Sequence, residues 1–163
     1  WFIVSGAIGK TPDWPDSGRP AGRLLNANEL CEMDAAGMEI GSHTVNHIRL
    51  PEAADADMER ELLASKVTLE DLLGKPVGSF AYPYGAWNER CEAIVQKTGY
   101  HCACTTRTGW ALRDGSLYRL RRLTVFNHDT TNSFARKLAF ATNDVRWSTV
   151  LGYAVRRLVA RMN

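Results

Sequence analysis

The sequence predicts an α/β domain whose strands run parallel, and two observations lead to that prediction. Short apolar runs alternate with longer segments in which apolar residues recur at helical spacing, which is typical of strand–helix–strand units. Helices are expected to end at three glycines, Gly37, Gly74 and Gly99. Each glycine lies at most a few residues before one of the apolar runs. The length of 163 residues is sufficient for a hydrophobic core, and we treat residues 1–163 as a single domain.

Each predicted element has a boundary signal. Asn26 is a good N-cap, and Glu29 three residues later completes an approximate capping box. In the longest predicted helix, apolar residues recur on one face until Gly74 ends it. The predicted strands are Trp1–Ser5, Met38–Ser42, Val77–Ala81, Tyr100–Thr105 and Tyr118–Val125. The predicted helices are 26–36, 58–73, 88–97, 133–140 and 147–163.

The composition is that of a globular domain, with 45% hydrophobic and 23% charged residues. Charge is unevenly distributed, because residues 1–106 carry a net charge of −6 and residues 107–163 a net charge of +8. The basic part contains the predicted amphipathic helix 147–163, which we expect to dock on the domain, with contact to a membrane surface as the alternative. No phosphate-binding glycine loop and no nucleic-acid motif occurs, so we expect no nucleic-acid partner.

The first residue and the cysteines bear on the origin of the chain and its compartment. The chain begins at Trp1, inside an apolar run and without a methionine, so we expect an N-terminal truncation. The cysteines, Cys31, Cys91, Cys102 and Cys104, fall in predicted helices and strands and are predicted to be free thiols. Free thiols weakly favour a cytoplasmic location over the cell envelope, and the sequence leaves both open.

His43 and His47 follow the predicted strand Met38–Ser42 and are the first candidates for a functional site. If the backbone there is helical, their spacing places both imidazoles on one face, where they could bind one metal ion. Functional residues collect at the carboxyl ends of parallel strands, which favours a site here. The alternative is a pair of exposed or capping histidines in a loop. A catalytic zinc usually has three protein ligands, and Asp129 is the one acid that falls at another predicted strand end.

The turn Tyr82–Gly85 follows another predicted strand. Proline fixes the backbone and glycine frees it, so a Pro-aromatic-Gly turn can aim a backbone N–H into a pocket. Such an N–H can stabilise an oxyanion in acyl transfer. The alternative is a tight strand-to-helix turn with stacked aromatic rings. We predict that Tyr82, Pro83 and, in a later loop, Trp110 contact the substrate.

Together, the segments Gly41–His47 and Phe80–Gly85 resemble the second and third motifs of the polysaccharide deacetylase family, which is the NodB-homology group or carbohydrate esterase family 4. The resemblance extends from Trp1 to about Thr105. It implies a deformed (β/α) barrel and a divalent metal, most often Zn²⁺, with Co²⁺ or Ni²⁺ as alternatives. The implied reaction is hydrolysis of an N-acetyl group on an amino-sugar polysaccharide or oligosaccharide.

The same resemblance implies roles for individual residues. His43 and His47 would bind the metal, and Thr44 would shape the loop between them. Tyr84 would offer its backbone N–H to the oxyanion. An N-acetylated glycan would be the partner molecule.

The sequence departs from the family pattern in three places. The first motif, Thr-Phe-Asp-Asp-Gly, which holds the family's catalytic base and third metal ligand, is absent, and we expect it on a first strand upstream of Trp1. The arginine of the third motif is replaced by Ala81, and Arg122 on a later predicted strand is the candidate substitute. The fifth motif, Leu-x-His, matches poorly. His128 is the nearest candidate for its general acid, and an ordinary loop residue is the alternative.

Three functional hypotheses follow. The first is a metal-dependent carbohydrate N-deacetylase, which on its own as residues 1–163 would be weakly active or inactive because the first motif is missing. The second is a non-catalytic carbohydrate-binding or scaffold protein of the same fold. The third is another metal-dependent amidase or peptidase, since a shared fold does not fix the substrate.

Overall fold

A computed structural model describes residues 1–12, 14, 22–144, 146, 148 and 152, and these residues form helices around one parallel sheet. The strands are β1 (Phe2–Ile3), β2 (Gly41–Ser42), β3 (Ser79–Ala81) and β4 (Cys102–Cys104). The helices are α1 (Ala27–Ala35), α2 (Asp55–Leu73), α3 (Glu89–Lys97) and α4 (Thr131–Phe140). The strands are adjacent in chain order and all pairs are parallel, with a helix between each strand and the next, so the predicted α/β class is confirmed.

Helix boundaries follow the capping signals closely. The Asn26 side chain accepts a hydrogen bond from the Glu29 N–H at 3.0 Å, and the Glu29 carboxylate accepts one from the Asn26 N–H at 2.7 Å. This confirms the predicted capping box at the start of α1. Gly74 adopts a left-handed backbone, with φ of 65°, and ends α2 as predicted. The side chain of Asn88 caps α3 in the same way as Asn26 caps α1.

The two faces of the sheet differ. Ser42, Phe80 and Ala103 form one row across β2, β3 and β4, and all three are fully buried on the side of the helices. Ser42 there contacts Ser65 of α2, with 2.8 Å between the two hydroxyl oxygens. Side chains alternate along a strand, so the neighbours of this row point to the opposite face. The helix side therefore holds the core, and the second face, which carries His43, is available for a site.

Two predictions for the C-terminal half need correction or fall outside the description. Tyr118–Val125 is not a regular strand, because its start forms a short 3₁₀ turn over Leu117–Arg119 and only Leu120 makes a β-bridge, to Cys104. Arginine side chains of this segment instead bind individual partners, and such contacts hold it without a strand ladder. The predicted helix 147–163 lies outside the described residues except for positions 148 and 152.

The cysteines and the hydropathy of the helices complete the description of the fold. All four cysteines are free thiols, as predicted. Within the part of the chain that the structure describes, no helix has the length and apolar character needed to cross a membrane.

Candidate active site

His43 directly continues β2 at the carboxyl edge of the sheet. Its backbone N–H donates to the Ile3 carbonyl at 2.9 Å, which extends the pairing with β1 by one residue. Its ring Nδ1–H donates to the Ala81 carbonyl at 2.6 Å. A carbonyl can only accept, so this contact places the proton on Nδ1 and leaves the Nε2 lone pair free to bind a ligand.

The charge state of His43 suits metal binding. The pKa of His43 is lowered to about 4, chiefly by burial and in smaller part by the charges of His47 and Arg122, against the opposing effect of the Ala81 hydrogen bond. The imidazole is therefore neutral at pH 7, and neutral imidazole is the form that binds metal ions.

The loop that carries His47 is not helical, so the geometric premise of the predicted histidine pair is wrong. Thr44 and His47 have left-handed backbones, with φ of 67° and 55°. The Thr44 hydroxyl accepts a hydrogen bond from the His47 N–H at 2.9 Å and so closes a tight turn. This turn still brings the two imidazoles together, with 4.9 Å between the ring centroids of His43 and His47.

His47 differs from His43 in its hydrogen bonding. Its Nδ1 is buried and has no hydrogen-bond partner among the described residues. Burial lowers the pKa of His47 as well, which favours its neutral form. A buried nitrogen without a partner is costly, and a bound ligand or a water molecule would remove that cost.

Helix α2 anchors the histidine loop through a residue that the sequence analysis did not identify. The buried Glu61 carboxylate accepts hydrogen bonds from the backbone N–H groups of Val45 and Asn46, both at 2.9 Å, and from the Asn46 side chain at 2.6 Å. The Ser65 hydroxyl, one helical turn later, donates to the Thr44 carbonyl at 3.2 Å. The helical spacing of Glu61 places this acid on the apolar face of α2. That position was the sequence signal that could have identified Glu61.

The turn after β3 places Tyr84 beside the pair. Tyr84 has φ of 58°, and its ring centroid lies 4.6 Å from that of His47. The next two N–H groups, of Gly85 and Ala86, donate to the carbonyls of Tyr82 and Pro83, whereas the Tyr84 N–H makes no hydrogen bond within the described residues. Tyr84 thus presents an unused backbone donor near the histidines.

The side chains of Tyr82 and Pro83 are buried, and their predicted role in contacting a substrate stays a prediction. Tyr82 belongs to the hydrophobic core, and its hydroxyl donates to the Tyr118 carbonyl at 3.1 Å. Burial raises the pKa of Tyr82 above its usual value, so the hydroxyl remains protonated. Tyr82 and Pro83 support the turn from the protein interior, and their side chains do not face the solvent.

The remaining predicted site residues, Arg122, Trp110 and His128, differ in whether they interact with the histidine pair. The charge of Arg122 is close enough to lower the pKa of His43, and its Nε–H donates to the Thr105 carbonyl at 2.7 Å. Trp110 is 53% exposed, and the exposed His128 stacks on Phe126 with 5.3 Å between ring centroids. Within the described residues, no hydrogen bond or ring contact joins Trp110 or His128 to the histidine pair, and their roles stay predictions.

Asp129, the acid considered as a third metal ligand, is occupied elsewhere. It pairs with the fully buried Lys137 and accepts hydrogen bonds from the Phe126 N–H at 2.8 Å and the Ser133 hydroxyl at 3.0 Å. These contacts, led by that of Lys137, lower the pKa of Asp129 to about 2. Among the residues described, no group of three or more His, Cys, Asp or Glu side chains is arranged to hold a metal ion.

A cavity of about 380 Å³ opens beside the histidine pair, along β1 at the outer edge of the sheet. The consecutive residues Trp1–Val4, which include the edge strand β1, line one part of it. Its walls are mostly apolar and include Phe2, Val4, Trp14, Leu24, His43 and His47.

The fold and the site define an α/β domain with two neutral histidines at the carboxyl edge of a parallel sheet, next to an unused backbone N–H. Residues 1–103 match the family model described as Polysaccharide deacetylase, so the chain belongs to the polysaccharide deacetylase family. The chain is 32% identical over 83 residues to the chitooligosaccharide deacetylase of Azorhizobium caulinodans, a match that covers 50% of this chain and 39% of that protein.

Solved structures agree on the fold. The Streptococcus pyogenes deacetylase PplD, solved in complex with acetate, superposes with a TM-score of 0.67 at 27% identity over 77% of this chain and 53% of that one. A polysaccharide deacetylase from Bacillus cereus gives a TM-score of 0.66 at 27% identity over 82% of this chain and 39% of that one. The predicted NodB-type fold is thereby confirmed. The chain spans less than two fifths of the length of the curated relatives that it matches.

Proposed function

We propose that this chain carries two metal ligands of a hydrolase that removes N-acetyl groups from amino-sugar glycans. The observation that carries the proposal is the histidine pair: His43 is fixed by Ala81 with its Nε2 free, and His47 lies against it. Family membership supports the reaction type, and the chitooligosaccharide deacetylase among the relatives supports a glycan substrate.

The histidines fit a divalent metal ion. Both are neutral nitrogen donors, and the Nε2 of His43 is free to bind an ion because its Nδ1–H donates to the Ala81 carbonyl. Imidazole donors of this kind suit Zn²⁺, with Co²⁺ and Ni²⁺ as alternatives. When bound, such an ion would act as a Lewis acid that polarises the acetyl carbonyl.

We infer that the third ligand comes from outside the residues that the structure describes. Two histidines are one short of the usual set of three protein ligands, and Asp129 is paired with Lys137. The cavity along the edge strand β1 reaches both histidines, and an edge strand can pair with an added extended segment. We infer that a carboxylate on a segment upstream of Trp1 completes the set, as the family resemblance implies.

Three residues of this chain would act on the substrate or on the catalytic group that lies next to it. The unused N–H of Tyr84 would donate to the oxygen of the acetyl group as it gains negative charge. Arg122, whose charge lowers the pKa of His43, would orient the catalytic base expected upstream of Trp1, in place of the arginine that Ala81 replaces. His128 stays the candidate acid that protonates the leaving amine.

A non-catalytic glycan-binding protein is the second candidate. It is favoured by the lack of a third ligand within the described residues. Binding of chitooligosaccharides without release of acetate, even by a polypeptide extended upstream of Trp1, would support this alternative.

Acetate release from chitooligosaccharides tests the first candidate. With added zinc, we expect the extended polypeptide to release acetate and residues 1–163 alone to be weak or inactive. His43→Ala should abolish the activity, whereas His101→Ala, an exposed histidine before β4, should retain it. Activity that survives both chelation and His43→Ala would rule out the proposed metal site.

A further inference from the structure

The two histidines of the site are held in different ways. The His43 ring is fixed by a hydrogen bond from Nδ1–H to the Ala81 carbonyl. The corresponding nitrogen of His47 has no hydrogen-bond partner among the described residues. Metal-binding histidines usually donate their second ring N–H to an acceptor, which fixes the orientation of the ring. Among the described residues, no such hydrogen bond fixes the His47 ring.

Aromatic contacts surround the His47 ring from two separate loops. Trp14 lies with its ring centroid 4.7 Å from that of His47, and the two planes are tilted by 37°. Tyr84 lies 4.6 Å from His47, with a tilt of 53°. Both distances fall in the range of attractive ring contacts. Trp14 precedes His47 in the sequence and Tyr84 follows it, so the two residues restrict the ring from separate parts of the chain.

Arg49 extends this row of contacts beyond Tyr84. Its guanidinium carbon lies 4.7 Å from the Tyr84 ring centroid, within the range of a cation–π interaction. The ion pair of Arg49 with Glu52 is long, at 4.0 Å, and both side chains are largely exposed. The Tyr84 ring thus has Arg49 and His47 as neighbours. Because the left-handed backbone of Tyr84 persists only where surrounding contacts hold it, these ring contacts help to keep the residue in place.

We propose that Trp14, Tyr84 and Arg49 are positioning residues that orient His47 for metal binding by stacking instead of by a hydrogen bond. The row Trp14–His47–Tyr84–Arg49 is here called the His47 stack. The proposal rests on the proposed function only in treating His47 as a metal ligand. The restraint on the ring itself exists in the metal-free protein and can be measured there.

Paired substitutions separate stacking from general packing. Trp14→Leu and Arg49→Met remove the aromatic face and the cation while retaining apolar bulk. Trp14→Tyr and Arg49→Lys restore an aromatic ring and a positive charge. Arg60→Met is the matched control, because Arg60 is exposed on α2 and pairs with Asp57.

The first measurement is the NMR spectrum of the His47 ring protons in the metal-free protein. We expect Trp14→Leu and Arg49→Met to shift these resonances toward values of a free imidazole, with partial return in Trp14→Tyr and Arg49→Lys. Arg60→Met should leave them in place. Unchanged His47 resonances in both Trp14→Leu and Arg49→Met would overturn the proposal.

The second measurement is the affinity for zinc by titration calorimetry. Losing the support of a ligand typically weakens metal binding by about 10- to 100-fold. We expect a weakening of about tenfold in Trp14→Leu, a smaller one in Arg49→Met, and recovery in Trp14→Tyr and Arg49→Lys. Shifted resonances with unchanged zinc affinity would overturn the positioning role. Absence of zinc binding in every form, the unsubstituted protein included, would overturn the metal site and with it this role, while the ring resonances would still report the stack.

Discussion

Glu61 binds Asn46 twice, through the backbone N–H at 2.9 Å and through the side-chain amide at 2.6 Å. One carboxylate on α2 thereby fixes the turn between His43 and His47. The turn contains left-handed residues without glycine, and such backbone persists only where surrounding contacts hold it. The geometry of the candidate site therefore depends on a helix residue that itself lies outside the histidine motif.

The Glu61 carboxylate should be essential for this loop. Glu61→Gln replaces one of the two accepting oxygens by an NH₂ group, so either the two backbone N–H groups or the Asn46 side-chain amide loses its acceptor. We expect a loss of about 1–3 kcal/mol in the free energy of unfolding, measured with urea. Glu59→Gln, a substitution of a more exposed acid that pairs with Lys97, should change it by less than about 0.5 kcal/mol. Equal effects of the two substitutions would show that Glu61 is not a special anchor.

Glycine at position 85 should be required for two separable reasons. Its φ of 67° disfavours any side chain, and an added Cβ would lie 2.0 Å from the Thr106 hydroxyl oxygen. Gly99, with φ of 87°, has no atom within 4 Å of such a Cβ, so Gly99→Ala isolates the backbone cost of roughly 1–2 kcal/mol. Gly85→Ala should cost more by about 1–3 kcal/mol in urea unfolding, because of the clash.

The steric part of this cost can be checked separately. Gly85→Ala combined with Thr106→Gly removes the hydroxyl and the side-chain carbons that meet the new Cβ. We expect the double variant to recover stability relative to Gly85→Ala, after the effect of Thr106→Gly alone is subtracted. Simple additivity of the two substitutions would argue against the clash.

The pair of Asp129 and Lys137 should make stability depend on acid pH. The pKa of Asp129 is lowered to about 2, against about 3.9 in an unfolded chain. A lowered carboxyl pKa contributes stability that is fully present above the unfolded value and is lost as the pH falls through the folded value. The difference in urea midpoint between the protein and Asp129→Asn should therefore shrink between about pH 4 and pH 2.

A control distinguishes this pair from an exposed one. Asp57→Asn removes the partner of Arg60 at the surface, where ion pairs contribute little. We expect it to change the urea midpoint only slightly at every pH. A constant difference for Asp129→Asn down to pH 2 would contradict the assigned role of the Lys137 contact.

Zinc should stabilise the folded chain through His43 and His47. A ligand that binds only the folded state at a hundredfold excess over its Kd adds about 2.7 kcal/mol of stability. We expect a rise in Tm with zinc that EDTA reverses, that His43→Ala eliminates and that His101→Ala retains. An equal rise in His43→Ala would locate zinc binding elsewhere.

Local signals predicted the elements, and tertiary contacts decided the site. The capping box at Asn26 and the helix end at Gly74 depend on residues a few positions apart, so the sequence alone was sufficient for them. The helical geometry considered for the histidine pair does not occur, because the left-handed backbone around Thr44 is stabilised by α2, many residues later in the chain. The same limit explains why the contact between Trp14 and His47 was not foreseen.

The strand prediction for Tyr118–Val125 failed for a related reason. Alternating apolar and basic residues are compatible with a strand, yet a strand needs a neighbour with free backbone groups. Only Leu120 bridges to β4, while Arg121 binds Asp114 and Arg122 binds the Thr105 carbonyl. Such individual contacts were not visible in the spacing of residues.

The anchor of His43 is a main-chain oxygen, and this affects how the site responds to genetic change. A substitution at position 81 alters the side chain but leaves the carbonyl that accepts the Nδ1–H of His43. Exchange of an arginine for Ala81 therefore does not by itself disturb the tautomer of the histidine. Small residues that fit the buried position 81 can therefore replace one another, while the Nε2 of the His43 imidazole stays available.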